Sequence, residues 1–497
     1  MKAAFLGTSA LSDAFSIAFL IPNLMRRLFA EGSVTVAFIP TFKTFLIKND
    51  RDKIKEFFSS VFTLLSFTVS LVVIFGIAAA PLIVSFFKTD KTETVFLTRI
   101  MFPYLGFISI AAFFQGILNG KNRFGPSGFV PILFNLSVIG CTMFLSQFTM
   151  NPARAMAAGV LLGGVIQAVF QLPFVIKTGY NFCFISLKKA LKNPGARNVG
   201  RLIAPTIIGM AAYQLNNLIA SVIASNSGEG IVSSLQFSLR LQELILGIFA
   251  VSFGTVMITE LSGNAKKRQW KLFNTNLLFC IRAIALITIP VMFFCLLTGR
   301  NIIELLFKIR NFTDKSVDLT LSAFTFHIAG LFFIALSRII APAFYAQEDA
   351  KTPTFAGIVS VLVSISLAII LADSMKGGGI ALATSIAALF NSTILLVALS
   401  KKKKKLFLKT ILSSAGYSLK ILILSFVASI PVFFVRVKLF GVFMGFDNKL
   451  FSTGLPLLLL FLLFSVIMVF LLAVIRDEQF LYLTKKKTFH VQEEPDE

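Results

Sequence analysis

Apolar stretches of about 20 residues or more recur from one end of this chain to the other, and that pattern leaves few folds open. Each stretch is long enough to cross the ~30 Å hydrocarbon layer of a bilayer. No water inside lipid pairs with backbone amides and carbonyls, so a crossing segment must satisfy them internally, as a helix. A soluble chain of 497 residues would divide into several domains with charged surfaces. Here 56% of the residues are hydrophobic and only 14% are charged. The class is an all-α polytopic membrane protein.

The hydropathy pattern predicts thirteen helices, at 11–47, 56–86, 92–119, 128–148, 152–177, 197–225, 230–261, 270–298, 316–346, 354–373, 378–399, 410–437 and 452–475. Residues 1–10 read as the stump of another, so the expected total is about 13–14 transmembrane helices. Loop charge gives the orientation. Loops taken alternately from the one after the first span, together with the tail, carry 28 Lys and Arg, and the intervening loops carry 11. Basic loops stay on the cytoplasmic side, which puts the C-terminus there too. The run Lys401–Lys405 reads as an anchor on anionic headgroups. The loop holding Arg300, Lys308, Arg310 and Lys315 is the exception, being basic on the outer side.

Charges inside the spans need a reason, because each costs roughly 2.5–3.5 kcal/mol at a helix centre on insertion scales. "AFLIPNLMRRLFAEGS" carries Arg26, Arg27 and Glu31 within an apolar run. Arg27 and Glu31 are four apart on one helix face, and Arg240 and Glu243 are three apart on another. Asp13 lies fourteen residues before Arg27 and marks the outer end of its span. Arginine's planar fork grips phosphate and keeps its charge. A water-filled cavity lined by Arg26, Arg27 and Arg240 therefore suits an anionic substrate, with Glu31 and Glu243 holding the arginines when it is empty. The competing reading is that each Arg–Glu pair only locks helices together, though it leaves Arg26 over. Arg99, Arg282 and Lys420 are expected to snorkel to the interface. Gln214, Asn217 and Ser221 share a face that helix–helix hydrogen bonding explains as well as substrate does. His327 reads as a satisfied interior histidine, and Asp373 as a cap before "KGGG", with an ion site involving Thr384 the less favoured alternative.

Other classes fare poorly. Lysines in short loops set topology, and no basic stripe with interleaved aromatics argues for nucleic acid. Four cysteines and two histidines in no metal-type spacing argue against a metal or haem, and no cofactor is expected. No nucleotide loop or large polar domain argues for an enzyme. A faint parallel repeat aligns "RRLFAEGSVTVAFIPTF" with "LQELILGIFAVSFGTVM", pairing Gly32 with Gly247, Val36 with Val251 and Phe38 with Phe253. Further on, "ILNGKNRFGP" aligns with "AFYAQEDAKTP", each a helix, a polar turn and a proline, Pro126 or Pro353, opening the next helix. Two such halves with a site between them are a transporter pattern, against a background of chance similarity between apolar helices.

"SDAFSIAFLIPNLMRRLFAEGSVTVAFIP" resembles the second-helix signature of the MurJ/MviN family, and "ILNGKNRF", "QLP" at 171–173 and "APAFYAQEDAKTP" resemble its later motifs in order. The family consists of lipid II flippases of the MOP superfamily. The resemblance implies two pseudo-symmetric six-helix lobes around a central cavity, plus two C-terminal helices forming a groove for the polyprenyl tail. On this chain that gives an N-lobe at 1–190, a C-lobe at 191–400, the extra helices at 401–475 and a cytoplasmic tail at 476–497. Arg26, Arg27, Arg240, Glu31 and Glu243 match charged positions the family places in or beside the cavity, and Asp13 would serve the outer gate. The resemblance implies roughly one more helix half before Lys2, with cavity arginines of its own, so the first helix is expected to be truncated here or the start set too late. The implied activity is transfer of lipid II from the inner to the outer leaflet of the bacterial cytoplasmic membrane for cell-wall synthesis, without enzymatic chemistry. The implied partners are lipid II and the bilayer, with a monovalent ion and the cell-wall synthesis machinery left open. Alternatives are a flippase for another polyprenyl-diphosphate glycan of the O-antigen type, a cation-coupled multidrug exporter of the same superfamily, and a non-transporting scaffold.

Overall fold

The computed structural model describes residues 1–27, 33–48, 50–402 and 404–484, with side chains described at all of these except 33–36, 48, 204–213, 248–260, 404–407 and 482–484. Glu31, Gly32, Lys403 and Lys485–Lys487 lie outside the described residues, as do the side chains of Val36, Lys48, Val251, Phe253, Lys404 and Lys405. The regular structure of the described residues is helical, without strands, and falls into two compact units, Met1–Ser233 and Ser234–Glu497.

The first unit holds α1 (Lys2–Leu6), α2 (Ala10–Arg26), α3 (Ser33–Lys48), α4 (Arg51–Ser85), α5 (Lys91–Met101), α6 (Tyr104–Gly120), α7 (Gly125–Leu145), α8 (Pro152–Ile176), α9 (Leu187–Lys192) and α10 (Pro194–Asn226). It also takes the first turn of α11 (Ile231–Lys266). Local sequence sets the helix starts. Asp50, Asp90, Asn151 and Asn193 each accept the amide three residues on with a side-chain oxygen, and Pro152 and Pro194 open their helices where no amide hydrogen is needed. The core of α3, α4 and α6 is aromatic. Phe38, Phe57, Phe58 and Phe113 are fully buried, with Phe38 stacked on Phe57 and edge-on to Phe113, both at 5.4 Å between centroids.

The second unit continues α11 and adds α12 (Trp270–Phe307), α13 (Asp314–Ala329), α14 (Leu331–Tyr345), α15 (Lys351–Lys402) and α16 (Lys404–Phe443), then a π-turn at Leu450–Gly454, α17 (Leu455–Val474) and α18 (Glu478–Thr484). α16 and α17 pack on α12 through Ile289, Phe294, Ile421, Val432, Leu460 and Phe464.

Among the described residues eight helices are long and apolar enough to cross a membrane, and α13 with α14, bent by 46°, makes a ninth such span. The helices differ in detail from the expected spans. Within the span read as 11–47 the described residues form α2 and α3, and residues 28–32 lie outside the described residues. The span 92–119 holds as one candidate crossing, Lys91–Gly120, made of α5 and α6 with a turn at Phe102–Pro103, where proline cannot donate the amide hydrogen of a continuous ladder. The two spans 354–373 and 378–399 are joined directly inside α15 by one non-helical residue, Lys376 (φ 49°, ψ −128°).

The turns of the second repeat pair match in detail. In the first unit Arg123 N donates to Leu118 O at 2.9 Å across Asn122 (φ 58°). In the second, Asp349 N donates to Phe344 O at 3.0 Å across Glu348 (φ 60°). Both are Schellman closures with a left-handed residue after the helix end. Arg268 (φ 57°) and Arg476 (φ 50°) occupy the same position at the ends of α11 and α17, where Gln269 N reaches Asn264 O and Asp477 N reaches Leu472 O.

Candidate functional site

Asp13 sits in the first turn of α2, which Ser9 caps by accepting the Ser12 amide at 3.2 Å. Its carboxylate is 6% exposed and serves a second helix. Oδ2 accepts the Gly230 amide at 2.6 Å and Oδ1 accepts the Ser233 amide at 2.8 Å, so Asp13 caps the first turn of α11. Glu229 returns the bond, its Oε1 accepting the Ala10 amide at 2.9 Å at the start of α2. Each helix start leaves unsatisfied amides with partial positive charge, and a carboxylate is their best acceptor. Sequence reading found Asp13 but not Glu229. The available signal was an acid between two glycines, "GEG", just before an apolar helix.

Arg26 lies at the last residue of α2 and Arg27 at its C-cap, both half-buried. Arg26 is steered by Asn23, whose Oδ1 accepts from Nε at 3.0 Å and Nη2 at 2.8 Å. The expected Arg27–Glu31 pair lies outside the described residues. Arg240, the tenth residue of α11, and Glu243 are both exposed, and no ion pair joins them among the described residues. Three residues apart on a helix only puts side chains in reach; here neither is buried, so nothing forces them together.

Other charged residues found partners the sequence did not announce. Arg282 and Lys420 do not simply snorkel. Arg282 Nη2 donates to Ser413 Oγ at 2.6 Å and lies over the Tyr417 ring at 5.4 Å. Lys420 pairs with the buried Asp477 at 2.7 Å, and Asp477 also accepts from Tyr417 Oη at 3.1 Å and caps α18. Arg99 Nε donates to Ile77 O at 3.3 Å. In the loop that broke the expected charge pattern, much of the basic charge is paired, with Arg300 on Asp318 at 2.6 Å and Glu304 at 3.1 Å, and Lys308 on Asp314 at 2.6 Å. Asp373 is exposed and caps no helix end among the described residues.

His327 is a satisfied interior histidine, as expected: fully buried, with Nδ1 2.6 Å from Ser238 Oγ. Its carbonyl accepts from Gln242 Nε2, and the neighbouring Phe326 carbonyl accepts from Ser385 Oγ at 2.6 Å. These two carbonyls lie beside the bend at Gly330, whose own amide still reaches Phe326 O, at a long 3.3 Å, so the side chains add to a weakened backbone ladder there.

The all-helical fold is one that solved transporters of the MOP superfamily share. It superposes on an inward-facing multidrug resistance MATE family transporter of that superfamily with a TM-score of 0.67 over 84% of this chain and 93% of the other, at 14% identity, a likeness of fold alone. The particular family is closer. The family model described as lipid II flippase MurJ matches residues 2–451, and the chain belongs to that family. A relative from Treponema pallidum (strain Nichols), named probable lipid II flippase MurJ, is 41% identical over 484 residues, covering 96% of this chain and 92% of its own. A solved structure titled lipid II flippase MurJ, inward closed conformation, matches with a TM-score of 0.77 at 25% identity over 95% of each chain. The chain is therefore a multi-pass protein of the inner membrane.

Proposed function

We propose that this chain, a lipid II flippase by family, moves lipid II from the cytoplasmic to the outer leaflet by alternating access, with Arg26, Arg27 and Arg240 gripping the diphosphate. The observation that carries the assignment of the arginines is Arg240. A permanent cation ten residues into an apolar helix is exposed and has no carboxylate partner among the described residues, so it is left for an anion or water to satisfy. Glu243 and Glu31 moderate the cationic field when no substrate is present. Asp13 holds the outer gate shut through the first turn of α11.

The C-terminus is cytoplasmic in this reading, in keeping with the basic loops. The working lobes are residues 1–190 and 191–400. Helices α16 and α17 carry the polyprenyl tail, supported by exposed Phe426, Phe433, Phe434 and Phe461 on the pair. Each negative charge carried outward gains ~2.3 kcal/mol per 100 mV of inside-negative potential, so export proceeds without nucleotide hydrolysis.

The test replaces Arg27 or Arg240 with Ala and follows the arrival of lipid II in the outer leaflet of cells depleted of the native protein. At normal expression the variants are expected to cut flipping at least tenfold, the loss of one charge-assisted contact. Wild-type flipping in both would take the arginines out of the mechanism.

A further inference from the structure

The connection from α8 to α10 is short of regular structure but tightly pinned. Its extended part lies along α4, where Cys183 N donates to Ser59 Oγ and Ile185 N to Thr63 Oγ1, both at 3.1 Å, from hydroxyls one turn apart. Phe182 and Phe184 both rest on Phe62 at 4.8 Å. Ala190 of α9 is fully buried on the protein side, and Arg197 Nε closes the end of α9 by donating to Leu191 O at 2.6 Å.

At about 100° per residue, α9 sorts its side chains into three sectors. Ala190 faces the protein. Leu187 and Leu191 share one flank and are exposed, the latter by 55%, in line with Phe184 at 69%. Lys188 and Lys192 lie opposite Ala190 and Lys189 on the flank away from the leucines, and all three are exposed. Residues 177–201 hold six Lys and Arg and no acid. An apolar flank, a cationic back and a protein-facing third side fit one environment, the boundary between acyl chains and headgroups beside a membrane protein. The connection also joins the membrane-crossing α8 directly, so that boundary is within reach.

We propose that residues 182–192 form an interfacial strap that binds anionic phospholipid headgroups in the leaflet on the Lys-rich side, with Phe184, Leu187 and Leu191 dipping below the headgroups and Lys188, Lys189 and Lys192 meeting their phosphates. The occupant is bulk anionic lipid, because the charge is spread along an open ridge rather than gathered in a pocket. None of the strap's residues is among the arginines assigned to the diphosphate.

The full-length protein carrying Trp270→Phe, which removes its only tryptophan, receives Leu191→Trp as a reporter and is reconstituted in vesicles of phosphatidylcholine alone or with one third phosphatidylglycerol. Blue-shifted emission is expected, with quenching by lipids brominated near the carbonyl end that rises at least twofold with phosphatidylglycerol. Lys188→Gln, Lys189→Gln and Lys192→Gln together should abolish that rise. Phe184→Trp gives the same reading if Leu191→Trp does not fold. Water-like emission in anionic vesicles, which would leave the ridge to a soluble acidic partner, overturns the proposal. So does quenching indifferent to phosphatidylglycerol or to the lysines. A rise produced in neutral vesicles by 1% of a polyprenyl diphosphate, and not by phosphatidylglycerol, would also overturn it by identifying a substrate site.

Discussion

Asp13 and Glu229 exchange caps: the carboxylate of Asp13 takes the Gly230 and Ser233 amides at the start of α11, and that of Glu229 takes the Ala10 amide at the start of α2. Neither helix start is satisfied by its own chain segment alone. Glu229 is placed by the same loop whose amide Asp13 holds, so losing one bond loosens the other.

Asp13→Ala should therefore cost more than an ordinary cap. Two buried amides lose a charged acceptor, an effect of about 1–3 kcal/mol. Glu229→Ala, at an exposed bond, should cost about 0.5–1 kcal/mol, and Glu229→Gln, which keeps an acceptor, less. Thermal unfolding of the purified variants checks the order. A double variant destabilised by less than the sum of the singles would show that the two caps are coupled.

The bend at Gly330 depends on close packing. A Cβ there would overlap Ser385 Oγ and sit 2.9 Å from Ser385 Cα, so Gly330→Ala forces α13 and α15 apart. Ser385→Ala removes the bond to Phe326 O and leaves that carbonyl only the 3.3 Å bond from the Gly330 amide, a loss of about 0.5–1.5 kcal/mol. Both variants should unfold at lower temperature than the wild type, and a wild-type melting curve for Gly330→Ala would refute the packing described.

Asp349 joins the two ends of α15, accepting from the Thr352 amide at 3.1 Å and pairing with Lys402 at 2.7 Å. The hydrogen bond from Lys402 holds its carboxyl well below the ordinary carboxylate range. A depressed folded-state value means that the stabilisation is complete above the unfolded value near 3.9 and drains away as pH falls below it. Asn caps as well as Asp but carries no charge, so Asp349→Asn isolates the pair, whose worth is under about 1 kcal/mol. The deficit of the variant should be constant from pH 5 to 8 and shrink below pH 4. Stability curves against pH decide it, and a deficit that grows on acidification would be the wrong sign.

Arg268 and Arg476 hold left-handed conformations that cost a residue with a Cβ roughly 1 kcal/mol relative to glycine. Arg268→Gly and Arg476→Gly should each raise stability by up to that amount in chemical or thermal unfolding. Asn122→Gly should gain less, because asparagine tolerates this region.

Fold class was legible because hydropathy runs report a solvent, and the lipid solvent admits one backbone solution. The breaks were harder to see. Pro103 marks one, yet Pro22, Pro81 and Pro290 sit inside helices that continue, so proline alone does not locate a break. Gly330 was invisible as a bend, since what creates it is Ser385 and Gln242 from elsewhere in the chain. Among the charges, spacing nominated Arg240 with Glu243, and the structure leaves them apart. It gave no hint that Lys420 would find Asp477, 57 residues on, because that pairing depends on α17 returning alongside α16. Asp13 stood out as an acid in an apolar run, but its partners are amides, which every residue but proline offers.

The strap also exposes Cys183, whose neighbours in kind are half-buried at Cys141 and buried at Cys280 and Cys295. The unaltered chain thus carries its own sidedness label. A membrane-impermeant maleimide added to intact cells and then to inverted vesicles will mark this thiol from one face only. That tells which compartment the α8–α10 connection inhabits, with no substitution, tag or fusion required.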